Sequence, residues 1–208
     1  MLIYRTNNPT LATLRTRLGI KIKDSSNDIW SEDEFDSAIT NSLAYLFPKF
    51  YVPVIDITSI STTSGTYGYD ISDVDIDELA DVRAKDTGSN RYSHISYWLE
   101  NQTLVLESDP GVATTLKLMG GKKFTALSDA ADTTDIPSFA EDIFVLYAGI
   151  ELMRIMLRDK GKMNQFAARQ QEITENDVIN IIREMERELE SKIAEKQMLP
   201  ISQSGNAY

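Results

Sequence analysis

The 208-residue sequence predicts an α+β fold: mainly an α-helical bundle with an inserted small antiparallel β subdomain and an extended C-terminal tail. Three observations carry that expectation. Apolar residues recur at helical spacing towards both ends of the chain, at i, i+3, i+4 and i+7. Between them, short runs of β-branched and aromatic residues are broken by Gly, Asn, Asp and Ser, the pattern of strands and turns. Beyond Pro200 neither period continues. The expected organisation is 1–49 for the first helices of the bundle, 50–127 for the β-rich insert, 128–197 for the helices that complete the bundle, and 198–208 for the tail.

The first helix is short. Asn8 reads as its N-cap and Pro9 as its first helical residue, where a missing N–H costs nothing. Leu11, Leu14 and Leu18 form one apolar face, and Gly19 reads as the stop. The second helix has the clearest start in the chain. Ser31 and Glu34 fit a capping box, with Trp30 and Phe35 as a hydrophobic staple around it. Phe35, Ile39, Leu43 and Leu46 then make the buried stripe, and Pro48 ends it. Glu32-Asp33-Glu34 is explained by the helix dipole and needs no metal or acid–base role.

Six strands are expected in the insert: Val52–Ile60, Thr66–Ile71, Leu79–Lys85, Tyr92–Leu99, Thr103–Glu107 and Thr114–Met119. Glu100-Asn101-Gln102 marks a hairpin, and Asp109-Pro110-Gly111 a turn before the last strand. Ser128–Pro137 reads as a polar linker, after which Pro137 opens a long helix. Ile143–Leu157 is apolar almost all round and therefore central, with Glu151 and Arg154 spaced to pair at i, i+3. Asp159-Lys160-Gly161-Lys162 marks a turn or break before a helical stretch at Met163–Gln171. Thr174 caps the last helix, with Asp177 as its box partner. Val178, Ile182, Met185, Leu189 and Ile193 form one stripe opposite Arg183, Glu184, Arg187, Glu188 and Lys192. That stripe serves the chain's own core, the commoner use, or seats a partner helix.

Composition excludes several function classes. The chain has no Cys, which removes disulfides, thiolate zinc sites and Cys nucleophiles, and its single His, His94, removes every multi-His metal site. Lys and Arg number 21 against 32 Asp and Glu, a net charge of −11, the wrong balance for gripping nucleic acid by its phosphates. Hydrophobic residues make up 42% and charged residues 25%, the proportions of a chain that buries a core. The opening MLIYRTNNPT reads as no signal peptide, and Ile143–Leu157 is too short and too charged to cross a membrane. The expectation is a soluble protein from a reducing compartment.

Four constellations invite chemistry. Asp70, Asp73, Asp75, Asp77 and Glu78 crowd together, and Asp73-x-Asp75-x-Asp77 opens like a calcium loop. Yet Glu78 stands where that loop needs Gly, and Ala84 where it needs Glu. Gly120-Gly121-Lys122-Lys123 lacks the phosphate-loop spacing and reads as a turn after a strand, with two solvated lysines. His94 reads as a surface histidine sharing a strand face with Tyr92 and Ser96, since nothing resembles a nucleophile elbow. Tyr92, Tyr97 and Trp98 read as sheet packing rather than a base-stacking platform. No catalytic, cofactor or metal residue is assigned, and no enzyme activity is expected.

The order of the segments carries the positive signal. Four stretches resemble the head–tail adaptor proteins of tailed bacteriophages, also called connector or head-completion proteins. Thr10-Leu11-Ala12-Thr13-Leu14-Arg15-Thr16-Arg17-Leu18-Gly19 looks like the family's first helix, and Trp30-Ser31-Glu32-Asp33-Glu34-Phe35-Asp36-Ser37-Ala38-Ile39 like its second-helix entry. Asp135-Ile136-Pro137-Ser138-Phe139-Ala140-Glu141-Asp142-Ile143-Phe144-Val145-Leu146-Tyr147-Ala148 looks like the entry to its central helix. The charged last helix with a tail matches in layout, while the β insert is larger and more Asp-rich than in the smallest members. The resemblance implies a structural virion protein with no reaction. Its copies would form a ring, of twelve in similar proteins, between a portal protein and a stopper or tail protein, with double-stranded DNA passing through unbound. By position, the resemblance makes Met198, Leu199, Pro200, Ile201, Ser202, Gln203, Ser204, Gly205, Asn206, Ala207 and Tyr208 the portal-docking segment. A sibling reading is another neck or tail-completion protein. From a different class, a calcium- or carbohydrate-binding module would rest on Asp70–Glu78 and the aromatic strands, and a hydrolase on His94 alone.

Overall fold

The computed structural model describes residues 9–109, 111–170 and 173–196, which form an α+β protein of five helices and two antiparallel sheets. They divide into two compact units, one of residues up to Phe50 together with those from Phe124 onward, the other spanning Tyr51–Lys123.

The first unit holds the helices: α1 Leu11–Lys21, α2 Glu32–Leu46, α3 Glu141–Arg158, α4 Lys160–Arg169 and α5 Glu175–Lys196. α3 is the central element and packs against each of the other four. It buries Ile143, Phe144, Val145, Leu146, Ile150, Leu152, Met153 and Met156, so a single solvated stripe is all it keeps. Gly149 sits where α1 and α5 close on it. A Cβ there would lie 2.9 Å from Met185 Cε and 3.2 Å from Ile22 Cγ2. The stripe of α5, formed by Val178, Ile182, Met185 and Leu189, is buried inside this unit, with Ile193 half-buried at its end. The own-core reading of that stripe therefore holds.

Helix starts follow local chemistry, with shifts from expectation at three of them. Ser31 and Glu34 close the expected capping box on α2, and Thr174 and Asp177 exchange the same reciprocal bonds before α5. α1 begins two residues later than expected: Thr10 is its N-cap, accepting from the Thr13 N–H, and Asn8 lies outside the described residues. The next donors, the Leu11 and Ala12 N–H groups, reach the Asp132 and Ala130 carbonyls. The segment expected to be a linker is thus a cap for α1, held in shape by the Asp132 carboxylate on the Ser128 and Asp129 N–H groups. Pro137 does not open α3. It starts a turn, with the Ala140 N–H on its carbonyl, and the helix begins at Glu141. Asp159 closes α3 and caps α4 at once, accepting from Gly161 and Lys162, so α4 starts at Lys160 where a break was expected.

Gly19 is not the stop of α1, which continues to Lys21. It is a point of close approach: the Asp24 N–H donates to its carbonyl at 2.7 Å, and the Asp24 carbonyl would lie 3.0 Å from a Cβ. The Asp24 side chain organises the connection from α1 to α2. Fully buried, it accepts from the Asp28, Ile29 and Trp30 N–H groups and pairs with Arg169 of α4 at 2.9 Å. Lys162 adds a second link from α4. Its ammonium donates to the Ile29 carbonyl at 3.0 Å and to Glu34 at 2.7 Å, and lies 4.3 Å from the Trp30 ring centre. Arg15 joins α1 to α2 through Asp36 and Glu32.

The second unit holds β1 Val52–Asp56, β2 Gly68–Asp70, β3 Glu78–Lys85, β4 Tyr92–His94, β5 Tyr97–Glu100, β6 Thr103–Leu106 and β7 Leu116–Lys122. One sheet runs β1-β7-β3-β4 and the other β2-β6-β5, all antiparallel. Val82, Leu104, Leu106, Leu116 and Leu118 from both sheets make one apolar core. The expected hairpin at Glu100-Asn101-Gln102 joins β5 to β6, with Asn101 at φ 56°. The expected strand Tyr92–Leu99 is two strands in two sheets: His94 pairs with Arg83, and three residues on Tyr97 pairs with Leu106. Buried Ile95 makes the corner, its N–H on the Val82 carbonyl.

Asp24 and Glu34 each lend themselves to a stability measurement. Asp24→Ala leaves three N–H groups without their acceptor, while Arg169 keeps Asp28, and is expected to cost about 3–5 kcal/mol in urea unfolding. Glu34 gives a pH signature. Burial opposes its ionisation, but Lys162 and the Ser31 donors outweigh burial and hold its pKa below the usual carboxylate value. With the folded value below the unfolded one, the contribution is present above the unfolded pKa of about 4.3 and is lost as pH falls through the folded value. Glu34→Gln is therefore destabilised against wild type at pH 7, with the gap narrowing by pH 3.

Candidate functional site

The Asp-rich segment and the Gly-Gly-Lys-Lys segment, unrelated in sequence, are two halves of one structure. Gly120 and Gly121 lie inside β7, not in a turn after it. A Cβ on Gly120 would fall 2.3 Å from the Glu78 carbonyl oxygen and 2.6 Å from Ile76 Cγ2, so only glycine admits the approach of β3. That approach brings the acidic loop onto the end of β7. The Asp77 N–H donates to the Gly121 carbonyl at 3.0 Å, the Asp77 carboxylate accepts from the Lys123 N–H at 2.7 Å, and Asp75 pairs with Lys122. Lys123 is exposed, as expected, and Lys122 partly so, and both lie against the acids. Asp70 turns elsewhere, accepting from the Ser72 N–H, which lowers its pKa. Among the described residues no three acidic or His side chains converge as a cation site.

His94 is exposed, as expected, but it is bonded to a buried carboxylate. Its Nδ1 lies 2.8 Å from Oδ1 of Asp81, which is 2% exposed, and the other Asp81 oxygen accepts from Arg83 Nε at 2.6 Å. The backbone dictates the meeting. Arg83 and His94 are register partners across β3 and β4, and Asp81 lies two residues back on the same face. The register of β3 against β7 shifts between Leu79 and Asp81, so Leu79 and Val82 both reach the core while Asp81 turns away from it. Burial, and then the Asp81 charge, raise the Tyr97 pKa. The trio is a carboxylate between two donors. The hydrogen bond of the His94 ring is to this carboxylate, not to a serine hydroxyl. Sequence reasoning missed Asp81, although counting back from the Asp86–Arg91 turn would have set Arg83 opposite His94.

The three aromatic residues do not form one platform. Tyr92 lies on β4 with the Lys117 ammonium 5.8 Å from its ring centre, while Tyr97 and Trp98 belong to β5 in the other sheet. Trp98 is 48% exposed, across from Val105. On the helices, the expected Glu151–Arg154 pair is replaced by Arg154 with Glu186 of α5 at 2.6 Å. Lys21 pairs with Glu188 at 3.1 Å, and Lys192 with Glu188 at 3.2 Å and with Asp142. The residues from Met198 to Tyr208, expected to dock a partner, lie outside the described residues.

No family model matches this sequence, and no curated protein matches it. Each unit carries paired charges and exposed apolar side chains: Ile20, Ile155 and Tyr45, stacked on Tyr147 at 4.3 Å, in the helical unit, and Ile55 and Trp98 in the β-rich unit. Removing the buried acceptor, as in Asp81→Ala, is expected to lower stability by about 2–3 kcal/mol. His94→Gln should cost less, because the Arg83 bond to Asp81 remains; thermal melts of the two variants side by side check that ranking.

Proposed function

We propose that the chain is a structural virion protein, an adaptor subunit whose copies form a ring between the portal of a bacteriophage capsid and the neck or tail, with no reaction of its own. The observation that carries this reading is the order of segments. A short helix precedes a box-capped helix, a β-rich insert separates these from an apolar central helix, and a long charged helix leads into a polar segment. On this reading the helices form the bundle and residues 198–208 are the docking tail. Buried α3 gives such a subunit a stiff centre, and the internally paired charges leave its exposed apolar side chains as the material for contacts between copies.

Physical arguments support the role. A segment too polar to pack alone acquires order on a partner surface, where new contacts offset the ordering cost. A net charge of −11 keeps DNA phosphates from adhering to a channel built of such subunits. The ring, its copy number and the portal as partner are the content of the proposal. A site for calcium or sugar has no comparable support, because Asp75 and Asp77 are engaged with Lys122 and Lys123.

The experiment is negative-stain imaging of the protein mixed with a phage portal, using the full chain and a Met198–Tyr208 deletion in parallel. An added ring layer with the full chain, lost on deletion, is the expected result. No added density with either chain overturns the adaptor reading, and binding to a tail-tube protein instead moves the assignment to a tail-completion role.

A further inference from the structure

The two sheets of the β-rich unit end on four edge strands, β1 and β4 in one sheet and β2 and β5 in the other. An unpaired edge is a template for a further strand unless something blunts it. Pro53 takes a donor away from β1, and β2 and β4 are only three residues long. β5 has no such device. It carries no Pro and no Lys, and Trp98 and Leu99 are 48% and 45% exposed. Leu99 faces inward: its register partner Leu104 is fully buried in the core between the sheets. Yet a space of about 280 Å³ opens beside it, lined by Val74, Ile76, Leu79 and Leu118. The inner face is uncovered where β5 ends the sheet.

The backbone bonds define what the edge offers. The Glu107 N–H donates to the Ser96 carbonyl at 2.9 Å. Bonding alternates along an antiparallel pair, so Ser96, Trp98 and Glu100 turn their N–H and C=O groups towards β6. Tyr97 and Leu99 therefore turn two N–H and two C=O groups outward, and among the described residues no backbone group bonds them.

The complement of these four groups is the same four on a second copy. With two β5 strands antiparallel about a two-fold axis at Trp98, Tyr97 of each copy stands opposite Leu99 of the other, and every outward group is used. The faces agree, because Tyr97 and Leu99 both face inward and bonded partners share a face. β2 fails that condition. The Leu106 N–H bonds the Tyr67 carbonyl, so the outward groups of β2 are those of Gly68 and Asp70, which flank buried Tyr69 and lie on the opposite face. The charges agree as well: Glu100 falls opposite the exposed Ser96, a hydroxyl donor, and no like charges meet. Trp98 meets Trp98 at a non-bonded position, where cross-strand side chains come closest. We propose that β5 is a self-docking edge, through which two free chains pair about Trp98 into a six-stranded sheet that covers Leu99. This stands apart from the adaptor reading, since a ring joins unlike surfaces.

Four residues a side is far below the roughly 20–30 of a stable interface, so the pair is weak and forms at high protein concentration. Sedimentation of the full chain is expected to show monomer passing to dimer as concentration rises. Leu99→Pro removes an outward N–H and none of the bonds to β6, and Trp98→Lys sets two like charges face to face. Both variants are expected to stay monomeric with an unchanged circular dichroism spectrum. The chain has no cysteine, so Trp98→Cys carries a single thiol. The Cα separation of about 4.5 Å at a non-bonded pair suits a disulfide, which spans about 4.4–6.8 Å. On oxidation Trp98→Cys should link into dimers faster than Thr87→Cys, an exposed position in the turn between β3 and β4. Monomer at every concentration overturns the proposal. So does a dimer that survives both Leu99→Pro and Trp98→Lys, or equal cross-linking of the two cysteine variants. Portal binding is read in a different assay, so the two ideas fail separately.

Discussion

The helical unit depends on the need to cover α3. A helix with apolar residues on nearly every side has no stable existence in water until other helices enclose it, and burying each large side chain is worth about 1.5–3 kcal/mol. α1, α2, α4 and α5 each contribute a stripe to that enclosure. The ion pairs then act at the margins: Arg154 with Glu186 and Lys192 with Asp142 tie α5 to α3 along the edge of an apolar contact already made. Exposed pairs of this kind add little stability and fix alignment instead. Gly149 is the counterpart in shape, the missing side chain that lets Met185 and Ile22 come close.

The β-rich unit solves a different problem. Its strands are short, and neither sheet has enough apolar face to stand alone, so both share the core around Val82, Leu104 and Leu118. Its acidic groups are paired, whether buried or exposed. Asp81 sits between Arg83 and His94, and the acidic loop is clasped by Lys122 and Lys123. Clusters that lie apart in the linear sequence are, in three dimensions, links between neighbouring strands and between the acidic loop and β7.

How far the sequence could be read depended on how local the determining chemistry is. The capping box at Ser31 and Glu34 and the Thr174–Asp177 pair were legible because both partners lie within four residues. The start of α1 was not, because its second and third donors are met by Asp132 and Ala130, more than a hundred residues away. The corner at Ile95 was invisible because alternation continues through it and says nothing about which sheet a strand joins. Asp81 was missed because its role rests on a register shift at Ala80 and on the pairing of β3 with β4. Gly120 and Gly121 were misplaced because the contact that demands glycine comes from Glu78, a neighbour only across the sheet.

The pairing of β1 with β7 has a consequence for the two ends of the β-rich unit. Val52 lies opposite Lys122, so the polypeptide enters and leaves the β-rich unit through two adjacent strands. Register partners sit about 4.5–5.5 Å apart, a gap that one or two residues bridge. The two ends of the insert are therefore held side by side by the sheet itself, and the register of β1 on β7 sets the distance between them. The span between the place where the chain enters this unit and the place where it leaves is thus a property of one pair of strands, however long the loops between the other strands are.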